Sequence, residues 1–434
     1  MNIAVFSEKS FHRQWKKVLA TSSLFDEAVE QRVRSIMQEV ATQGDKAVLR
    51  FTEQFDGAAL KASQLLVTDK EFKTAAGQVK KSTRAAIKEA FTNIQSFGKM
   101  SKRLGWNGRN VHGARVGEKY DPFRKVGLYV PGGTAPLAST ALMTVGLAKV
   151  AGCPEVIVCT PCNAEGEVNP DLLYALKYAG ATKVFKLGGA QAIAAMAFGT
   201  RTIPKVDKIF GPGNAYVVAA KRLAVGYVSI DLLPGPSEVL IIADESADPS
   251  YIAADMLAQA EHGSGKERVC FLTTSKRLIS KVENQLAKQV GKLTRSEFIL
   301  KALKKNAWLI QVKDLDQAVE LANEFAPEHC EIMTRDARRL SKGIVTAGAI
   351  FLGNDSPTVL GDYVAGPSHV LPTGGAGASF PGLTVDQFQR RTSVVEYKKK
   401  SLANALPAVS AFAEMEGLDA HGNSAAIRCI ESSR

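Results

Sequence analysis

The chain has 434 residues, 45% hydrophobic and 23% charged, an ordinary globular balance that excludes disorder as its default state. That length exceeds what one hydrophobic core organises and predicts two or more domains. The formal net charge of +12 raises nucleic-acid binding as a possibility. Yet lysine and arginine are spread along the chain, the tightest group being Lys398–Lys400 behind Arg390 and Arg391, and no aromatic residues interleave with them, so no nucleic-acid partner is expected.

The first residues, MNIAVFSEKSFHRQWKKVLA, put no apolar run behind their early charges, unlike a secretory signal. The apolar stretch Ala141–Ala151 falls well short of the ~20 residues that span a bilayer. No membrane association and a cytoplasmic location are therefore expected. The first hundred residues read as helical, with apolar residues at helical intervals from Phe25 to Met37 and from Thr68 to Phe97. From about Lys125 short β-branched runs alternate with amphipathic helices. Strands are predicted at Glu155–Thr160, Lys183–Leu187, Val206–Phe210, Tyr227–Leu232, Val239–Ala243, Arg268–Thr273, Ala307–Val312, Cys330–Met333 and Ala349–Leu352. Such alternation predicts an α/β fold of parallel sheets covered on both faces, and so many strands, interrupted by Pro-Gly-Pro at 234–236, predict two sheets. The tail after Pro381 reads as mostly helical.

Three strand-to-helix turns are rich in glycine: Tyr129-Val-Pro-Gly132-Gly133, Gly188-Gly189-Ala-Gln191 and Gly211-Pro212-Gly213-Asn214. Each would aim backbone N–H groups and a helix N-terminus at an anion beyond the carboxyl ends of the strands. One such turn is weak evidence; three in one domain favour a phosphate-bearing cofactor. The strict G-x-G-x-x-G fingerprint, a P-loop, and the HExxH, GxSxG and kinase signatures are all missing from the sequence.

Of six histidines, His12 and His112 lie in polar surroundings and read as surface residues. His262 ends a helix that starts near Pro249, with Gln259 three residues earlier on the same face. Glu328-His329 supplies a carboxylate and an imidazole, the commonest proton-transfer groups, at the start of a strand. Strand neighbours face opposite ways, so both can serve one site only if the turn distorts that alternation. Asp362, His369, Glu416 and His421 complete a His/carboxylate/amide set of the kind zinc takes, but scattered too widely to assign from spacing. Six cysteines suit a reduced compartment. Cys159-Thr-Pro-Cys162 has the spacing of a redox or zinc knuckle but no second ligand pair, and nothing basic near Cys330 would activate it, so both read as core.

Taken together, GLYVPGG (127–133), GGAQAIAAMAFGT (188–200), DKIFGPGNAYV (207–217), GPSEVLIIAD (235–244), LAQAEHG (257–263), FAPEHCEI (325–332), GDYVAGPSHVLPT (361–373) and EMEGLDAHGN (414–423) resemble the histidinol dehydrogenase family over nearly the whole chain. The resemblance implies two incomplete Rossmann-like, aldehyde-dehydrogenase-like parallel-sheet domains with small helical accessory segments. The implied division is 1–24 as an N-terminal segment, 25–125 plus 237–381 as the first domain, 126–236 as the domain with the NAD turns, and 382–434 as a dimerisation tail.

It further implies an NAD-dependent oxidation of L-histidinol via L-histidinal to L-histidine in a homodimer, with one zinc ion per subunit. Family zinc ligands fall on Gln259, His262, Asp362 and His421, the last given across the dimer. Substrate contacts fall on Ser237, His369 and Glu416, together with His329 and the metal ligands, and cofactor contacts on Tyr129, Gln191 and Asn214. His329 would take the alcohol proton and Glu328 would activate water. The nearest alternative keeps the zinc and NAD chemistry but takes another small alcohol, such as a sulfonated diol. A zinc hydrolase using Glu328 leaves the glycine-rich turns unexplained.

Overall fold

The computed structural model describes residues 1–20, 26–132 and 137–429; Phe25 and Gly133 lie outside them. The strands in chain order are β1 (Asn2–Val5), β2 (Trp106–Arg109), β3 (Arg115–Pro122), β4 (Lys125–Tyr129), β5 (Glu155–Thr160), β6 (Lys183–Lys186), β7 (Lys208–Phe210), β8 (Ser229–Ile230), β9 (Glu238–Ala243), β10 (Arg268–Thr273), β11 (Ala307–Gln311), β12 (His329–Met333), β13 (Ala349–Leu352) and β14 (Gln389–Glu396). They form a parallel five-stranded sheet in the order β6-β5-β4-β7-β8, a parallel six-stranded sheet in the order β1-β11-β10-β9-β12-β13, and an antiparallel sheet β14-β3-β2. The chain leaves the first parallel sheet at Ile230 and enters the second at Glu238, across Pro234-Gly-Pro236.

Central strands such as β9 and β12 are buried at every residue, because parallel sheets carry helices on both faces and have no solvent side to accommodate. The helix Gly189–Phe198 is buried from Ala190 to Ala197, and its small residues let neighbouring elements approach closely.

Two features differ from the sequence reading. Helices Glu27–Gln43 and Asp45–Asp56 send Val33, Ile36, Val40, Val48 and Phe51 into the core that holds Ile157, Phe185 and Ile193. Helix Lys81–Ser101 adds Ile87, Phe91 and Ile94 to the core around Val126 and Leu142. Residues 27–101 thus cover the five-stranded sheet rather than the six-stranded one, while β1 with Phe11 and Trp15, from the first 24 residues, joins the six-stranded sheet and its core. Helical periodicity says which face is buried; it does not say which core receives it. The second difference is a third, antiparallel sheet where two sheets were expected: within a tail read as mostly helical, β14 lies as an eight-residue strand paired throughout with β3. It is exposed along most of its length, so no period-two alternation announces it.

Candidate functional site

The amino edge of the six-stranded sheet gathers most of the titratable residues singled out in the sequence. The chain reaches β12 through Ala326, the one non-glycine residue at positive φ (49°) among those described, followed by Pro327. A left-handed alanine costs about 1 kcal/mol or more, and such backbones collect at functional sites. Just after this turn Glu328 and His329 reach the same neighbour despite strand alternation. Glu328 Oε2 accepts the Glu238 N–H at 2.7 Å, His329 Nδ1 donates to the Glu238 carbonyl at 3.0 Å, and the two side chains stand 3.6 Å apart.

A carbonyl only accepts, so Nδ1 carries the imidazole proton and the lone pair lies on Nε2. That Nε2 is 3.7 Å from Asp362 Oδ1. Burial, followed by the charges of His262 and His369, pushes the His329 pKa down to about 4, so the ring is neutral near pH 7. Burial and the neighbouring Glu238 and Asp362 carboxylates hold Glu328 well above the usual carboxylate range, against one backbone hydrogen bond. Glu238, itself raised by burial, is paired with Arg268 at 2.6 Å.

Three of the four expected metal ligands lie on the elements at this edge. The helix Pro249–Ala260 runs back from β9 to the amino edge and carries Gln259 in its last turn, buried, with no partner for Nε2. His262 follows beyond the helix end, exposed to solvent yet set in enough protein for desolvation to lower its pKa. Asp362, in the last turn of helix Thr358–Tyr363, is pushed up to about 6 by burial. Among the described residues no three His, Cys, Asp or Glu side chains gather closely enough to hold a metal by themselves. Gln259, His262 and Asp362 nevertheless fit as an incomplete set: an unsatisfied buried amide, an imidazole and a desolvated carboxylate are N/O donors suited to zinc, short of a fourth.

His369 donates from Nδ1 to the Asp362 carbonyl at 2.9 Å and accepts from the Thr140 hydroxyl at Nε2, 3.0 Å away. A cavity of about 400 Å³ opens beside it, lined by His329, Phe351, Ser368 and His369 among others. Ser237 sits half-buried at the entry to β9. Glu416 and His421 lie exposed on tail helices Lys399–Glu416 and Asp419–Ala426, and within one chain the structure does not bring them to this cluster. The Cys330 thiol is pushed up to about 12 by burial, and Cys159 is likewise raised; neither is poised as a nucleophile.

The carboxyl edge of the five-stranded sheet carries the glycine-rich turns. Gly211, at φ 114°, has to be glycine because a Cβ there would overlap the Tyr129 carbonyl oxygen. The first of these turns runs out of the described residues at Gly133; in the other two, leading N–H groups are taken within the chain. The Gly188 N–H is taken by Asp56 Oδ2 at 3.3 Å, the Gly189 N–H by the Tyr129 hydroxyl at 3.2 Å, and the Gly211 N–H by Asp231 Oδ2 at 2.8 Å. Asn214 Oδ1 caps the next helix by accepting from Tyr216 and Val217 at 3.0 and 3.2 Å. Among the buried side-chain atoms here without a hydrogen-bond partner are both amide atoms of Gln191, and Thr160 Oγ1 at the end of β5. The third turn turns inward through a fully buried ion pair, Lys221 with Asp231, whose ammonium also donates to the Gly211 and Leu232 carbonyls at 2.8 Å each.

The two edges abut: Thr140, which holds His369, begins the helix that follows β4 and its turn, and Met143 one turn on accepts the His369 N–H at 3.1 Å.

Asp56, Thr160, Asp231, Glu238, Arg268 and Ala326 were not legible as site residues from sequence. Lys221 gave a signal, standing four residues after Val217 on the buried face of its helix. The others carry no periodic or motif signal.

A family model described as histidinol dehydrogenase matches residues 19–429. The chain is 42% identical over 416 residues to the histidinol dehydrogenase of Bacteroides thetaiotaomicron, covering 96% of both chains. It is 39% identical over 432 residues to that of Syntrophotalea carbinolica, covering 100% of both. The crystal structure of histidinol dehydrogenase from Elizabethkingia anophelis matches with a TM-score of 0.94 at 35% identity, over 99% of this chain and 98% of that one.

Proposed function

The chain belongs to the histidinol dehydrogenase family, and from that premise we propose that it oxidises L-histidinol through L-histidinal to L-histidine, reducing NAD twice, with zinc holding the substrate. The observation that carries this is the neutral His329, its Nε2 lone pair turned toward Asp362 beside an open cavity, with an unsatisfied Gln259 amide among the neighbouring donors. A base of this kind takes a proton from an alcohol near pH 7 without first having to lose its own.

Gln259, His262 and Asp362 from one subunit, with His421 from a second, would hold the metal; Ser237, His329, His369 and Glu416 would join them around the substrate. Tyr129, Gln191 and Asn214 would contact the dinucleotide. When bound, the nicotinamide supplies a hydride acceptor for each oxidation and the zinc a Lewis acid that fixes the substrate. In the first step His329 Nε2 accepts the hydroxyl proton while the carbinol carbon loses a hydride, leaving the aldehyde. In the second, Glu328 would accept a proton from water as the water oxygen bonds to the aldehyde carbon and the carbonyl oxygen takes the negative charge; that deprotonated hydrate then loses a second hydride, and the acid so formed releases its remaining proton to solvent as the carboxylate. Burial of Glu328 raises its affinity for that proton.

A homodimer is part of the proposal, and the tail supports it: Phe412, Met415, Leu418 and Ile427 stand exposed on the helices that carry Glu416 and His421, an apolar surface suited to a second copy. The two parallel sheets correspond, in this proposal, to a cofactor half and a metal half. Among the described residues no helix is long and apolar enough to cross a membrane, in keeping with the cytoplasmic location proposed for a biosynthetic enzyme.

The test is NADH formation from histidinol, with and without a zinc chelator, set against a sulfonated diol. Chelator-sensitive reduction with histidinol is the expected result; reduction with the diol alone would replace the substrate, and none with either would remove the proposal. His421→Ala is expected to lose zinc, measured by elemental analysis of the purified dimer, and full zinc occupancy would exclude the tail as a donor.

A further inference from the structure

One group at the carboxyl edge of the five-stranded sheet has no part in the chemistry above. Asp56 ends the helix Asp45–Asp56, and left-handed Gly57 (φ 73°) turns the chain away behind it. Its Oδ2 accepts the N–H of Gly188, the residue that opens helix Gly189–Phe198, at 3.3 Å. A Cβ added at Gly188 would stand 3.1 and 3.2 Å from the two Asp56 oxygens and 2.8 Å from Pro161, so the glycine is what lets the carboxylate approach.

A helix start of this kind ordinarily offers its leading N–H groups to a phosphate. Here one is occupied by a negative charge and the next by the Tyr129 hydroxyl. The nearby cation, Lys186, is already paired with Glu71 at 2.7 Å. Gln191, 1% exposed, lies directly against the turn, since a Cβ at Gly189 would stand 2.7 Å from its Oε1, and neither of its amide atoms has a partner. Thr160 Oγ1 is likewise buried and unpartnered.

The turn thus presents buried neutral donors and acceptors beside a carboxylate, a set of groups that suits hydroxyls and disfavours a phosphate. A carboxylate accepts two O–H bonds from a vicinal diol and repels a phosphate ester at the same place.

We infer that Asp56 accepts the adenosine ribose hydroxyls of the dinucleotide and makes the site selective for the cofactor that lacks a 2′-phosphate. The inference rests on the dinucleotide reading above and adds the residue that sets its specificity. Burial supports it: it holds the Asp56 carboxyl up at about 6, as befits an acceptor standing without a cation of its own.

The test compares kcat/KM for NAD and NADP, with histidinol as substrate, in the zinc-loaded dimer and in Asp56→Asn. The wild type should prefer NAD, and D56N should narrow that preference on the order of 10–100-fold, the scale of relieving a like-charge contact, with the change lying mainly in KM. A D56N preference within twofold of the wild type overturns the inference. Should D56N fold poorly, calorimetry on the wild type with ADP-ribose and with 2′-phospho-ADP-ribose serves instead. Tighter binding of the unphosphorylated ligand supports the inference, and equal binding overturns it alone. If neither ligand binds, the dinucleotide reading falls and takes the inference with it.

Discussion

The two sheet edges that meet at the site are built by opposite means. At the amino edge of the six-stranded sheet, titratable side chains are packed together and displaced by burial: His329 is held neutral, Glu328 and Asp362 are raised, and the backbone of Glu238 holds Glu328 and His329 in place just after a left-handed alanine. At the carboxyl edge of the five-stranded sheet the described turns are held by capping hydrogen bonds and one buried ion pair, and a neutral amide and a hydroxyl are among the buried groups left without a partner. Proton transfer needs groups whose charge state the protein has set in advance. Holding a dinucleotide needs backbone shape and uncommitted neutral polar atoms. One edge should therefore fail chemically when altered, and the other structurally.

The sharpest contrast should come from His329→Ala or Glu328→Ala, each expected to lower turnover by roughly 10²–10⁴-fold while secondary structure and zinc content persist; NADH release read beside metal analysis checks this, and near-normal turnover in both would remove the two bases. Next, Lys221→Met leaves Asp231 buried and unpaired, and should cost about 3–5 kcal/mol of stability, read from urea unfolding, with the paired change K221M/D231N recovering part of it. Equal stability of K221M and wild type would break the structural half of the comparison.

A smaller effect tests burial behind the catalytic edge. Asp255, on the Gln259 helix, faces Glu331, two residues after His329, and Glu331 Oε1 accepts the N–H of Thr358 at the start of the Asp362 helix at 2.8 Å. Burial raises Asp255 to about 6, and burial together with the Asp255 charge holds Glu331 well above the usual carboxylate range. Because the folded state holds these protons more tightly than the unfolded chain, the pair's contribution is full below the ordinary carboxylate range near ~4 and is lost as pH rises through 6. Asp255→Asn should flatten part of that decline in the unfolding midpoint between pH 4 and 7; an unchanged slope would exclude the pair as its source. The smallest effect belongs to Ala326→Gly, which relieves the left-handed backbone and should leave stability within about 1 kcal/mol of wild type, with activity falling if the alanine's restriction is what fixes Glu328; unchanged turnover would show that packing alone does so.

Much of this was legible in the chain. Short apolar runs such as Val239–Ala243 and Val269–Leu272, β-branched and bounded by turns, read as buried strands, and the glycines at 188, 189 and 211 mark turns where a side chain would collide. Ordered motifs over nearly the whole length carried the family, and residue type alone marked Glu328, His329, His262 and Asp362 as capable of chemistry. Local sequence determines such things because periodicity, backbone freedom and side-chain functional groups are local properties. It did not determine that residues 27–101 cover the five-stranded sheet, that β1 joins the far edge of the other, or that the 389–396 segment is a strand. Nor did it determine which atoms fill a helix N-terminus: Asp56 on Gly188 spans 132 residues, and the Glu238 backbone orients an imidazole 91 residues away. Those contacts exist only once distant segments of the chain meet in the folded sheets, since protonation state and hydrogen-bond partner are set by whatever surrounds a group in space.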